Sequence, residues 1–121
     1  MKKNKIKINR YKIAIIGLGY VGLPLAAEFS KKYNVVGYDI NLKRIKELKL
    51  GRDSTSEVRS EDLKKLNKLY LTSKSADLTG CNIFIITVPT PVYKNKKPDL
   101  SLLQKATETV GNILKPGNIV I

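Results

Sequence analysis

Apolar runs alternate with amphipathic stretches from the eleventh residue onward. YKIAIIG (11–17) is a β-branched run without polar alternation after Lys12, the pattern of a strand covered on both faces. From Val21 the spacing becomes helical: Val21, Leu25 and Phe29 share a stripe, and Pro24 is tolerated in a first turn. YNVVGYD (33–39) predicts a second buried strand. NLKRIKELKLG (41–51) predicts a helix with Leu42, Ile45 and Leu48 on its apolar face, Asn41 as N-cap and Gly51 as stop. GRDSTSEVRS (51–60) is a polar loop, longer than a plain connection needs. A short helix is expected from Ser60, because Glu61 and Asp62 suit the positive end of a helix dipole. LYLTS (69–73) is a weaker strand candidate. CNIFIITVP (81–89) is the strongest, ended by Pro89 and Pro91. Asp99 or Ser101 then caps a helix carrying Leu103, Ala106, Val110 and Ile113, which stops at KPG (115–117). NIVI (118–121) begins a last strand.

Strands alternating with helices predict an α/β fold: a parallel sheet with helices on both faces. The first strand–helix junction adds chemistry. The segment KIAIIGLGYVGLPLAAEF (12–29) follows a lysine-rich start and is apolar as far as Ala27, as a secretory leader would be. Three glycines and a proline interrupt it, its cleavage site is poor, and the run is too short to span a bilayer. Gly17, Gly19 and Gly22 instead make G-x-G-x-x-G between a strand and a helix. In that arrangement Gly17 allows the tight turn, Gly19 lets backbone approach a pyrophosphate, and Gly22 lets the helix pack closely on the strand. The helix start supplies free N–H groups and a positive dipole end to the anion. The next strand ends in Asp39, at the distance the dinucleotide fingerprint requires. A carboxylate there accepts both adenosine ribose hydroxyls and repels a 2′-phosphate, favouring NAD over NADP. Arg44 complicates this, since arginine serves NADP, but beside Asp39 it is expected along the adenine. FAD, S-adenosylmethionine or no ligand are the alternatives for such a domain. The fold is expected to be a Rossmann-type doubly wound sheet truncated at about its fifth strand.

The net charge of +13 invites a nucleic-acid reading. Six of the 23 basic residues, however, crowd into the first twelve positions, and the rest are spread over predicted helix faces. No aromatic-interleaved basic stripe or zinc spacing accompanies them, so neither nucleic acid nor membrane is expected as partner. Residues 1–10 are read as a basic disordered tail and 11–121 as the domain. With Cys81 the only cysteine and no histidine, disulfide scaffolds and Cys/His metal sites are excluded, and a reducing cytoplasm fits.

IAIIGLGYVGLPLA, VVGYDIN, IFIITVPTP and KPDLSLL together resemble the UDP-glucose/GDP-mannose dehydrogenase family, and most of all its UDP-N-acetylhexosamine branch in surface-polysaccharide synthesis. The resemblance covers about residues 11–121. It implies that Tyr20 and Val21 place amides, and the Val21 side chain, against the cofactor diphosphate. It also implies that Asp39 holds the adenosine ribose with Arg44 beside the adenine, and that Val88, Pro89 and Thr90 cross the cofactor. Family members oxidise a sugar C6 alcohol to a carboxylate in two hydride transfers to NAD, through a thioester on a cysteine. That cysteine and its acid/base partners match nothing here, and Cys81, at the start of the strongest strand, is expected to be a small buried hydrophobe. The implied reading is the N-terminal NAD-binding part of such an enzyme, binding NAD without turnover by itself. A UDP-sugar would be a partner only of a full-length parent, and a homodimer is compatible with it. The other reading of the same residues is a stand-alone adenine-dinucleotide-binding or regulatory module.

Overall fold

In the computed structural model, residues 10–121 are described; positions 1–9 of the expected basic tail lie outside them. Five parallel strands form one sheet in the order β3-β2-β1-β4-β5: β1 (Lys12–Ile16), β2 (Asn34–Tyr38), β3 (Leu69–Thr72), β4 (Ile83–Ile86) and β5 (Ile119–Val120). The order reverses between β1 and β4, so the crossovers wind in opposite directions from the centre. α1 (Gly22–Phe29), α2 (Leu42–Lys49), α3 (Ser60–Lys64) and α4 (Ser101–Gly111) connect the strands.

The period of two in β1 explains why an apolar run without alternation belongs there. Ile13 and Ile15 point into a core completed by Leu23 and Ala26 of α1, Ile45 and Leu48 of α2, and Leu63 of α3. Ala14 and Ile16 point the other way, into a core with Phe84, Cys81, Leu78, and Ala106 and Val110 of α4. Both faces are thus covered, which is the expected α/β architecture of Rossmann type.

Several details depart from the sequence reading. The buried face of α1 is Gly22, Leu23 and Ala26, whereas Val21 is exposed and Leu25 and Phe29 only flank the core. The helix lies so close to β1 at Gly22 that its contact face is rotated from the Val21–Leu25–Phe29 stripe. On α2, Ile45 and Leu48 are buried as expected, but Leu42 is exposed and Arg44 takes an inward position. β4 is Ile83–Ile86, shorter than the 81–89 run, although the amides of Asn82 and Thr87 still donate to the Lys12 and Ile16 carbonyls of β1. A 3-10 turn at Ser75–Leu78, absent from the sequence reading, drops Leu78 into the second core. The first residue of α4 is Ser101, whose amide is taken by the Asp99 carboxylate (2.9 Å). β5 leaves Ile119 and Val120 exposed at the sheet edge.

Asn41 caps α2 as its sequence position implies: its side-chain oxygen accepts from the Arg44 amide at 3.3 Å. At the other end Gly51 has φ +75° and donates to the Leu48 carbonyl (2.9 Å). Asn41→Ala is expected to lower unfolding free energy by about 1 kcal/mol, read as a lower urea midpoint at unchanged slope.

Candidate functional site

The carboxyl ends of β1, β2 and β4 open into one cleft of about 550 Å³, closed on one side by α4. It sits where the strand order reverses, the place where open α/β sheets bind ligands. A larger concavity of about 650 Å³ lies between α1 and α3. Four of its charged lining residues pair locally at the surface, Lys31 with Glu28 and Arg59 with Asp62.

The glycine-rich turn is built by contacts that leave no space for side chains. Gly17 has φ +100°, and a Cβ there would come within 3.0 Å of the Thr87 carbonyl and of Val88 Cγ1. Its amide donates to the Tyr38 carbonyl at 2.8 Å, tying the turn to the end of β2. At Gly22 a Cβ would lie 1.7 Å from the Gly17 carbonyl oxygen and 2.5 Å from Thr87 Oγ1. The Thr87 hydroxyl donates to the Gly17 carbonyl (2.7 Å) and lies 3.2 Å from that of Ile16. Thr87 is therefore a clamp on the turn. Sequence reasoning missed it, because one threonine just after a strand has no spacing signature of its own.

Gly19 differs from both: a Cβ there would meet nothing within 4 Å, and the residue lines the cleft. Among the described residues, nothing accepts from the amides of Gly19, Tyr20 or Val21. Three free amides therefore lie just ahead of the first turn of α1, where an anion is favoured. This donor set and the bare Gly19 surface fit a dinucleotide diphosphate.

Asp39 stands at the end of β2. Its Oδ2 accepts from the Leu18 amide and its Oδ1 from the Asn41 amide, both at 2.9 Å. The two backbone donors fix the carboxylate plane, and each oxygen keeps further acceptor capacity for a hydroxyl. Leu18 is held at its other end by Arg44, whose Nε donates to the Leu18 carbonyl at 2.8 Å.

Arg44 is more constrained than an adenine-facing side chain needs to be. Its guanidinium pairs with Glu47 and, at 2.9 Å, with Asp53 Oδ1. The Asp53 side chain is fully buried and also accepts from the Thr55 amide and hydroxyl and from the amides of Glu57 and Val58. Burial pushes this carboxyl up, but the Thr55 hydroxyl, the Val58 amide and the Arg44 guanidinium outweigh it and bring the pKa down to about 2. The long polar loop at 51–60 is thus a folded cap on Arg44. The clue to it was an aspartate in a serine- and threonine-rich stretch, a composition that also describes a plain surface loop.

Of the residues singled out from sequence, Gly17, Gly19, Asp39, Arg44, Val88 and Pro89 line the cleft. Gly22 is buried behind the turn, while Tyr20, Val21 and Thr90 are exposed and outside the lining. Leu102, Lys105 and Thr109 of α4 line it too, and no motif marked them. Cys81 is buried, and burial pushes its thiol up, away from nucleophilic use. Among the described residues no helix is long and apolar enough to cross a membrane, and no three metal-ligating side chains come together.

The chain is similar to known proteins along nearly all of its length. Residues 11–121 match the profile of the UDP-glucose/GDP-mannose dehydrogenase family, NAD binding domain. A UDP-N-acetyl-D-glucosamine 6-dehydrogenase of Pseudomonas aeruginosa is 56% identical over 110 residues, covering 91% of this chain and 26% of that protein. Its Salmonella typhi counterpart is 54% identical over 94% of this chain and 27% of its own length. The solved UDP-D-ManNAc dehydrogenase of Pyrococcus horikoshii superposes with a TM-score of 0.79 at 40% identity, covering 90% of this chain and 27% of its own. The chain thus spans about a quarter of the length of these relatives. Within that span, profile, identity and superposition agree: this chain belongs to the UDP-glucose/GDP-mannose dehydrogenase family, in its NAD-binding domain.

Proposed function

We propose that the cleft holds NAD with its diphosphate on the amides of Gly19, Tyr20 and Val21 and its adenosine ribose on Asp39. Val88, Pro89 and Thr90 cross the cofactor beyond β4, toward the nicotinamide. The observation that carries this reading is the set of three amides without acceptors, next to a carboxylate already oriented by two backbone donors. NAD bound there supplies the hydride acceptor. The chain's own residues bind and orient it.

For the whole protein we propose oxidation of the C6 alcohol of a UDP-N-acetylhexosamine to the uronate, for surface polysaccharide, in the cytoplasm. The names and identities of the relatives support the sugar class. Buried Cys81, its thiol pushed up by burial, is not suited to act as the nucleophile of that chemistry.

The test is calorimetric titration with NAD. Asp39→Ala is expected to weaken binding at least tenfold, about 1.4 kcal/mol, without loss of fold. Unchanged affinity would put the ribose elsewhere.

A further inference from the structure

Arg44 poses a question that NAD binding leaves open. An arginine near the adenosine ribose is what NADP-selective sites use to hold a 2′-phosphate. Here Asp39 and Arg44 hold the amide and the carbonyl of the same residue, Leu18, and both line the cleft. Nε and Nη1 of the guanidinium are nevertheless engaged by the protein itself. Nε is spent on Leu18, Nη1 on Glu47 and Asp53, with Ser54 3.4 Å away, and Nη2 lies 3.5 Å from the Thr55 hydroxyl. One cation is thus met by two carboxylates, Glu47 and Asp53, that lie behind the cleft lining, while Asp39 is the carboxylate of the lining itself.

Resting on the NAD reading above, we infer that Asp53 and Glu47 are specificity-determining residues: by engaging the Arg44 guanidinium they withhold it from a 2′-phosphate and keep the site selective for NAD. Asp39 excludes the phosphate by repulsion. The Asp53–Glu47 pair removes the group that would otherwise compensate that repulsion. Asp53 is suited to the task because it is fully buried and held by four donors from its own loop, so it does not swing aside with Arg44. Glu47 lies one helical turn after Arg44 and is partly accessible.

The experiment compares NAD and NADP affinities of the chain and its Glu47→Gln and Asp53→Asn variants by calorimetry at one ionic strength. The expected result is a preference for NAD that shrinks about fivefold in Glu47→Gln and about tenfold in Asp53→Asn, mainly through tighter NADP. Adding Arg44→Met to Asp53→Asn should abolish the gain. Glu47→Gln keeps the test decisive if Asp53→Asn fails to fold, because the Glu47 side chain is partly exposed and a glutamine amide oxygen there can still accept from the Ser54 hydroxyl. Parallel weakening of both cofactors, or an unchanged ratio in folded variants, would overturn the inference while leaving the NAD site standing. A parent chain that binds neither dinucleotide would overturn both.

Discussion

Gly22→Ala is expected to cost the protein about 4 kcal/mol and to abolish measurable NAD binding, whereas Gly19→Ala, three residues earlier, should leave stability within about 1 kcal/mol and still weaken NAD. The contrast follows from what each new methyl group meets. At Gly22 the Cβ would fall 1.7 Å from the Gly17 carbonyl oxygen and 2.5 Å from Thr87 Oγ1. Neither gives way cheaply: Gly17 is pinned through its amide to Tyr38, and its carbonyl accepts from Thr87. The helix must move off the strand. Overpacking of this kind costs about 1–3 kcal/mol, and the lost Thr87 hydrogen bond adds about 1 kcal/mol. Against a total stability of about 5–15 kcal/mol for a domain, that is a large share. The displaced helix also carries the amides of Tyr20 and Val21 away from the diphosphate. Each such charge-assisted bond is worth about 1.5–3 kcal/mol, so losing even one costs tenfold or more. At Gly19 the methyl group meets no protein atom and can obstruct only a ligand. Thermal unfolding and NAD titration of the two variants separate the roles. A stable Gly22→Ala protein with intact affinity would show that helix and strand are not locked at this point.

That asymmetry also explains which parts of the molecule could be read from the sequence. The glycine turn was legible because backbone proximity restricts the residue type itself: Gly17 and Gly22 admit almost nothing else, and the restriction is printed at fixed spacing. Asp39 was legible through its distance from the turn, and Asn41 through cap chemistry at the start of an apolar period. β1 was legible because burial on both faces removes every polar position after Lys12. The remainder depends on tertiary contacts that many sequences satisfy equally well. Thr87 acts by pointing its hydroxyl at the Gly17 carbonyl, and a threonine near a strand end usually has no such task. The rotated face of α1 follows from how closely Gly22 seats the helix, a distance that periodicity does not encode. The same holds for Arg44, which on a lysine-rich helix looks like one more solvated cation until Asp53, nine positions on, folds over it.

The second large effect is expected at that ion pair. Arg44→Met should destabilise the chain by about 3 kcal/mol at neutral pH, because it leaves the buried Asp53 carboxylate without its cation. The lower end of the range of about 3–5 kcal/mol for breaking a buried pair applies, since four loop donors still solvate the charge. The pH dependence distinguishes this cause from simple loss of packing. In the parent chain the Asp53 pKa is depressed from 3.8 to about 2. Its contribution is therefore fully present above the unfolded value and is lost as pH falls through the folded one. The stability gap between parent and Arg44→Met should accordingly be constant near neutrality and narrow as pH drops from about 4 toward about 2. Asp53→Asn combined with Arg44→Met should recover part of the loss at neutral pH, because no buried charge then lacks a partner. Urea unfolding across that pH range provides the measurement. A gap that stayed constant down to the lowest pH, with no recovery in the double variant, would mean that Arg44 stabilises the fold through its hydrogen bond to Leu18 and its aliphatic stem rather than through Asp53.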